Sequence, residues 1–299
     1  MKPPGRQAIT IISIITIFIC SSFCAAATIE ESIQQKMKEF GAQSVGIYFE
    51  DFNGKVFTYN ADEIFHAAST MKVPVMMEVF HQVEQRTLKL DQPVFVKNEF
   101  KSIMDGSPYQ LSKDDDSDAE LYSHVGQSLL LNELMQRMIN QSSNLANNLI
   151  IQIVTPEKVA KLMHEIGADQ MHVLRGVEDQ KAFDAGKNNT TSARALATCL
   201  KSIMNPKYFQ ESSRKQMVAI LLSQHDRDAV PAGVLSIDPN LKVANKDGWI
   251  DGINHDAGII QDDHGHTAYL VVLTRGVKEE AQGWGLIANL ASLLWSSHN

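Results

Sequence analysis

Apolar residues in this chain recur with two periods, and the period changes twice between the ends. Residues 29–40 follow a helical pattern, whereas residues 44–50 and 55–59 read as strands on either side of Phe52-Asn53-Gly54, a hairpin with a glycine turn. From Ser69 the spacing is helical: Val73, Met76, Met77 and Phe80 fall at i, i+3, i+4 and i+7, the stripe of a buried helix with Ser69 in its first turn. Helical patterns dominate again at 129–166 and 191–222. Between them, residues 173–189 are non-periodic, a loop long enough to need a reason. Strand patterns return at 241–246, 257–261 and 267–274, the last two joined by Asp262-Asp263-His264-Gly265, ahead of a helix over 278–296.

Strands at both ends and helices between them predict an α/β (α+β) architecture. One sheet forms only if the terminal strands meet, which leaves the middle of the chain as an all-helical lobe. Residues 28–62 and 230–299 would make the α/β lobe and 63–229 the helical lobe, with a cleft expected at their boundary. Residues 101–126 turn polar, with Asp105-Gly106-Ser107-Pro108 and the run Asp114-Asp115-Asp116-Ser117-Asp118; a solvated surface loop is expected there in preference to a calcium site. No internal repeat at 20–50 residues is visible.

Composition changes this picture mainly at the N-terminus. Lys2 and Arg6 precede an apolar run over 8–23, and Ala25-Ala26-Ala27 follows, matching an export signal cleaved after Ala26 or Ala27. The apolar run is shorter than the roughly 20 residues of a spanning helix, so residues 1–27 are set apart as a signal peptide. The product is expected to be periplasmic or secreted, with no stable membrane insertion. Cys20 and Cys24 fall in this segment, after bulky Ile19 and Phe23 where lipoprotein signals carry a small residue. Cys199 alone remains, on an apolar helix face, and no internal disulfide is possible. Of the 299 residues 44% are hydrophobic and 21% charged, an ordinary globular balance. The net charge of −8, with no basic stripe, argues against nucleic acid as a partner, and a monomer is expected.

Chemistry concentrates in three places. A serine needs a neighbouring base, and a lysine three residues on shares its helix face; Ser69-Thr70-Met71-Lys72 supplies the pair, with the lysine interrupting an otherwise apolar helix. Ser142-Ser143-Asn144 opens a second helix, where either serine could simply cap it. Lys246-Asp247-Gly248 ends a strand and could be an ordinary turn. His264 and His266 flank a turn glycine without further ligands at metal-site spacing, so no metal and no cofactor are expected.

In this order and on these elements, the three segments resemble the Ser-x-x-Lys, Ser-x-Asn and Lys-Thr-Gly motifs of penicillin-recognising serine enzymes, most closely class A β-lactamases. The resemblance runs over nearly the whole chain after the signal and is strongest in Ala67-Ala68-Ser69-Thr70-Met71-Lys72 and Val243-Ala244-Asn245-Lys246-Asp247-Gly248. It implies a β-lactamase-like fold with an antiparallel sheet. It also implies Ser69 as nucleophile, deprotonated by Lys72 or by Glu178 through a water, Ser142 as proton relay and Asn144 and Lys246 as substrate contacts, with an oxyanion hole from the backbone N–H groups of Ser69 and Trp249. A glutamate on the long loop would position the deacylating water. Glu178 is the candidate, with Asp179 as rival and a bland pairing of Glu178 with Arg175 as the alternative. His255, expected just before a strand, is a further candidate for substrate binding.

Three departures bear on activity. Ala182 stands four residues after Glu178 where the family usually has asparagine, Ser143 replaces the central aspartate of the second motif, and Asp247 replaces the hydroxyl residue of the third. A hydroxyl beside that lysine helps hold the substrate carboxylate, whereas an aspartate is a like charge and partly neutralises Lys246. The expected function is therefore β-lactam hydrolysis through a Ser69 acyl-enzyme. A D-Ala-D-Ala peptidase or other peptidoglycan-directed hydrolase is the first alternative, and a non-catalytic cell-wall or penicillin-binding module the second.

Overall fold

A computed structural model describes Met1 and residues 27–298; the expected signal segment, with Lys2, Arg6, Cys20 and Cys24, lies outside the described residues. Helix α1 (Ile29–Phe40) begins at a capping box, in which the Glu31 N–H donates to Thr28 Oγ1 at 3.1 Å and the Thr28 N–H to Glu31 Oε2 at 2.9 Å; it ends at Gly41, whose φ of 73° glycine alone adopts freely. Strands β1 (Ser44–Glu50) and β2 (Val56–Tyr59) form the expected hairpin. Strand β3 (Phe65–His66) leads into a 3-10 turn at Ala68–Met71 and then α2 (Lys72–Glu84). Ser69 thus sits in a tight turn ahead of the α-helix, not in its first turn.

The polar excursion is built from short strands: β4 (Pro93–Phe95) pairs with β7 (Ser128–Leu130), and β5 (Phe100–Lys101) with β6 (Pro108–Tyr109). The helical middle holds α3 (Leu131–Asn140), α4 (Asn144–Val154) and α5 (Pro156–Glu165). The long loop contains α6 (Gln180–Asp184) and ends in β8 (Thr190–Thr191), which pairs with β3. Then come α7 (Ala193–Met204), α8 (Glu211–Leu222) and α9 (Val230–Leu235). Three long strands, β9 (Lys242–Ile250), β10 (Ile253–Gln261) and β11 (Thr267–Arg275), precede α10 (Glu280–His298).

The terminal strands do meet. The five-stranded sheet runs β2-β1-β11-β10-β9, antiparallel throughout, with Ser44 opposite Arg275. Alternate side chains serve two apolar cores, as the two-residue period of a strand dictates. Val45, Ile47, Phe49, Leu270 and Val272 pack with Ile33, Leu286, Leu290 and Trp295 of α1 and α10. Ala257, Ile259, Val271 and Leu273 join the helical middle, among Met76, Phe80, Leu149 and Leu196. Helix α2 lies at the centre of that second core, with ten of its thirteen residues buried, which is why the stripe read from sequence understates its burial.

Two expectations need correction here. Strand β10 starts four residues earlier than its apolar pattern, so His255 and Asp256 lie within it; buried polar side chains at 254–256 hid the strand from a reading based on alternation. The acidic run is not simply solvated, because Asp116 and Asp118 are buried while Asp114 and Asp115 face solvent.

Candidate active site

Lys72 is fully buried at the start of α2, and four oxygens converge on its amine: Ser69 Oγ at 2.9 Å, Ser142 O at 2.6 Å, Asn144 Oδ1 at 2.9 Å and Ser142 Oγ at 3.2 Å. The Ser142 carbonyl and the Asn144 amide oxygen can only accept. A neutral amine has two N–H groups for them and one lone pair left, and that lone pair is available to a serine O–H. Burial, helped by the like charge of Lys246, pulls the Lys72 pKa down to about 7 against the opposing fields of Asp116, Asp247 and Glu178, so the free base is well populated at neutral pH.

The backbone around this amine is strained. Ala68, Ser142 and Glu178 have φ of 46°, 53° and 61°, half of the six non-glycine residues with left-handed φ among the described residues. Each costs on the order of 1–3 kcal/mol and persists only where the surroundings overdetermine it.

Asn144 joins the two halves of the site, accepting from Lys72 at Oδ1 and donating from Nδ2 to Glu178 Oε1 at 2.9 Å. Glu178 Oε2 accepts the Ser112 N–H at 3.2 Å, and burial raises the carboxyl's pKa. Of the alternatives at this loop, Asp179 turns away: it accepts from Ser102 Oγ at 2.8 Å and the Ile103 N–H at 2.9 Å and caps α6. Arg175 donates to the Lys187 and Gly176 carbonyls and Asn188 Oδ1, not to Glu178. Ala182 is buried and supplies no amide. The loop is held instead by Asn148 of α4, which accepts the Val177 N–H at 2.7 Å and donates to the Val177 carbonyl at 3.0 Å, immediately before Glu178.

On the third side, Gly248 of β9 lies so close to the 3-10 turn that a Cβ there would be 3.0 Å from both the Ser69 and Thr70 nitrogens, so a larger residue would have to push the strand away from the Ser69 turn. The Trp249 side chain lines the cleft and is partly exposed. Lys246 is fully buried, and its Nζ donates to Asp247 Oδ1 at 2.5 Å; the same oxygen accepts from Gln224 Nε2 at 2.6 Å.

His255 does not reach the cleft. It is fully buried, and burial lowers its pKa to about 4, so the imidazole is neutral. Nε2 lies 2.8 Å from the His66 carbonyl, and Nδ1 lies 2.7 Å from the Asn254 carbonyl and 3.2 Å from the Thr274 nitrogen; the Nε2–H tautomer donates to His66 and accepts from Thr274, whereas the Nδ1–H tautomer donates to Asn254. The expected substrate contact is therefore corrected: this ring fastens β3, and with it the approach to Ser69, onto the sheet.

Asp116 is the residue that motif spacing misses. Its carboxylate accepts the Asn144 and Leu145 N–H groups at 3.0 and 2.8 Å, the Asp118 N–H at 3.0 Å and the Tyr122 hydroxyl at 3.1 Å. It caps α4 from 28 residues away, while Ser143 Oγ takes the Ala146 N–H at 3.2 Å. The anion missing from the second motif is thus supplied by the acidic run.

These groups open onto a cleft of about 900 Å³ walled by Ser69, Ser142, Asn144 and Glu178, and by Asp226, Asp247, Trp249, Asp251, Glu280 and Trp284 toward the third motif. Among the described residues no group of three or more His, Cys, Asp or Glu is placed to hold a metal ion.

Residues 28–297 match the description of the β-lactamase enzyme family. A β-lactamase of Bacillus licheniformis is 27% identical over 253 residues, which cover 83% of this chain and 76% of the relative. The solved β-lactamase of Chitinophaga pinensis superposes with a TM-score of 0.73 at 25% identity, over 90% of this chain and all of its own. PBP-A, a point mutant of which is solved as an acyl-enzyme with penicillin G, shares the fold with a TM-score of 0.75 at 22% identity, over 90% of this chain and 95% of its own.

Proposed function

Because this chain belongs to the β-lactamase enzyme family, we propose that it hydrolyses the β-lactam amide through an acyl-enzyme on Ser69. The observation that carries the reading is the buried Lys72 amine, 2.9 Å from Ser69 Oγ with a pKa near 7.

Lys72 takes the Ser69 proton as Oγ attacks the lactam carbonyl carbon. The backbone N–H groups of Ser69 and Trp249 receive the developing oxyanion. As the C–N bond breaks, Ser142 gives its proton to the departing nitrogen and is reprotonated by the Lys72 ammonium, 3.2 Å from its hydroxyl. In deacylation Glu178 removes a proton from water, whose oxygen attacks the ester carbon; as the C–O bond to Ser69 breaks, that proton returns from Glu178 to Ser69 Oγ and both groups are restored. Glu178 suits this second step better than the first: it reaches Lys72 only through Asn144.

A D-Ala-D-Ala peptidase or other peptidoglycan-directed serine hydrolase is the second reading, favoured by Ala182, which leaves Glu178 without the usual amide partner. The charged pattern of Lys2 and Arg6, the apolar run and Ala25-Ala26-Ala27 supports export to the periplasm or medium, where either substrate is met.

The test follows intact mass with time after adding a penicillin to wild type, Ser69→Ala and Glu178→Gln. A mass increase that appears and decays in wild type, persists in Glu178→Gln and is absent in Ser69→Ala is the expected result. An adduct that persists in wild type favours the second reading, and a folded protein that takes up no penicillin ends both.

A further inference from the structure

The wall of the cleft built by the third motif carries the wrong charge for a carboxylate. Asp247 lines the cleft with about 10% of its side chain exposed; its Oδ1 is committed to Lys246 and Gln224, and its Oδ2 makes no hydrogen bond with a described residue. Lys246, the cation expected to meet substrate, is fully buried behind this pair and forms no part of the cleft wall. The other basic groups of the wall offer little: burial holds His66 neutral, with a pKa of about 4, and Arg175 is turned onto two backbone carbonyls and Asn188.

What replaces a cation is acid and aromatic surface. Asp226, Asp228 and Asp247 surround a small pocket closed by Trp284, and Asp251, Glu280 and Trp249 continue the wall outside it. Burial together with the charges of Asp247 and Asp228 raises the Asp226 pKa against the opposing fields of Lys246 and His225, so the buried ammonium behind the wall offsets its carboxylates only in part. An ammonium group placed there relieves that repulsion and meets an aromatic face; a carboxylate adds to it.

We infer that Asp247 is a specificity-determining residue that turns the third-motif wall toward substrates whose leaving group bears a cationic nitrogen, and away from those bearing a carboxylate. The inference rests on acyl transfer at Ser69 and adds the charge of the group that departs. The acyl carbon still bonds to Ser69 Oγ, and the leaving atom still departs with a proton from Ser142; only recognition of its far end changes.

Three thioesters of one acyl group, with thioglycolate, 2-mercaptoethanol and thiocholine as leaving groups, separate the charges. Released thiol is measured with a chromogenic thiol reagent, and kcat/KM is divided by each donor's rate of hydroxide hydrolysis. Cys199 is buried and does not interfere. Wild type is expected to favour the thiocholine over the thioglycolate ester by about tenfold or more, a preference that shrinks with added salt. Asp247→Asn and Asp247→Thr are expected to lower that ratio by about tenfold. A wild-type ratio near one or in favour of thioglycolate, insensitivity to salt, or an unchanged ratio in both folded variants overturns the inference while leaving the Ser69 reading intact. Turnover of all three donors no faster in wild type than in Ser69→Ala removes the underlying reading, and the inference with it.

Discussion

If Lys72 is the base that activates Ser69, acylation must follow the titration of its amine. At pH 7 roughly half of the molecules carry the free base, against about one in three thousand for an ordinary lysine. The acylation rate constant is therefore expected to rise about tenfold per pH unit below 7 and to level off above it. Glu178→Gln, in which deacylation is blocked, isolates the step: rapid mixing with a penicillin, acid quench and intact mass give acylation directly. Lys72→Ala is expected to lose about 10²–10⁴ in this constant, the usual worth of a positioned base. An equilibrium measurement checks the same shift. The folded pKa lies below the unfolded one, so the unfolded chain binds more protons between pH 7 and 10.5, and this lysine's contribution to stability grows as pH rises through that window, by up to about 5 kcal/mol. A wild-type inflection in the carboxylate range that disappears in Glu178→Gln, or a Lys72→Ala variant acylated within tenfold of wild type, would refute the assignment.

Three further substitutions probe the supports of the site. Asp116→Ala strands four donors, among them the two N–H groups at the start of α4, and is expected to cost about 3 kcal/mol in denaturant unfolding. Asp116→Asn removes a charge that favours protonated Lys72, so the acylation inflection should move below that of wild type; a shift upward would contradict the electrostatic picture. Gly248→Ala puts a Cβ 3.0 Å from the Ser69 and Thr70 nitrogens and should slow acylation by about 10². A variant that folds and acylates normally would show that the strand yields there. Asn148→Ala frees Val177 and should slow deacylation by about 10² while acylation stays within a few-fold, visible as accumulated acyl-enzyme; equal loss in both steps would mean that the loop serves the whole site.

The convergence of Ser69, Lys72, Ser142 and Asn144 was legible in the sequence because the first pair lies three residues apart at the entry to a helix and the second opens a helix, both local relations. The sheet was legible for a similar reason, since strand patterns only at the two ends leave few ways to pair them. Asp116 and Asn148 escaped because their roles are tertiary: an acidic run has one composition whether it is solvated or caps a helix 28 residues on, and an asparagine inside a helix does not announce the loop it holds. His255 was misplaced for a third reason. Asn254, His255 and Asp256 are buried without being apolar, so the strand that carries them has no alternating signature.

The pairing of β1 with β11 also sets an order of events in time. Ser69, Lys72 and Ser142 are all synthesised long before Gly248 and the strand that closes on them, and β1 waits for residues 267–275 before it gains its central neighbour. Contacts so distant in sequence form late. The nascent chain therefore holds Ser69 and Lys72 without the wall that closes the cleft, and the full constellation is assembled only with the last third of the polypeptide.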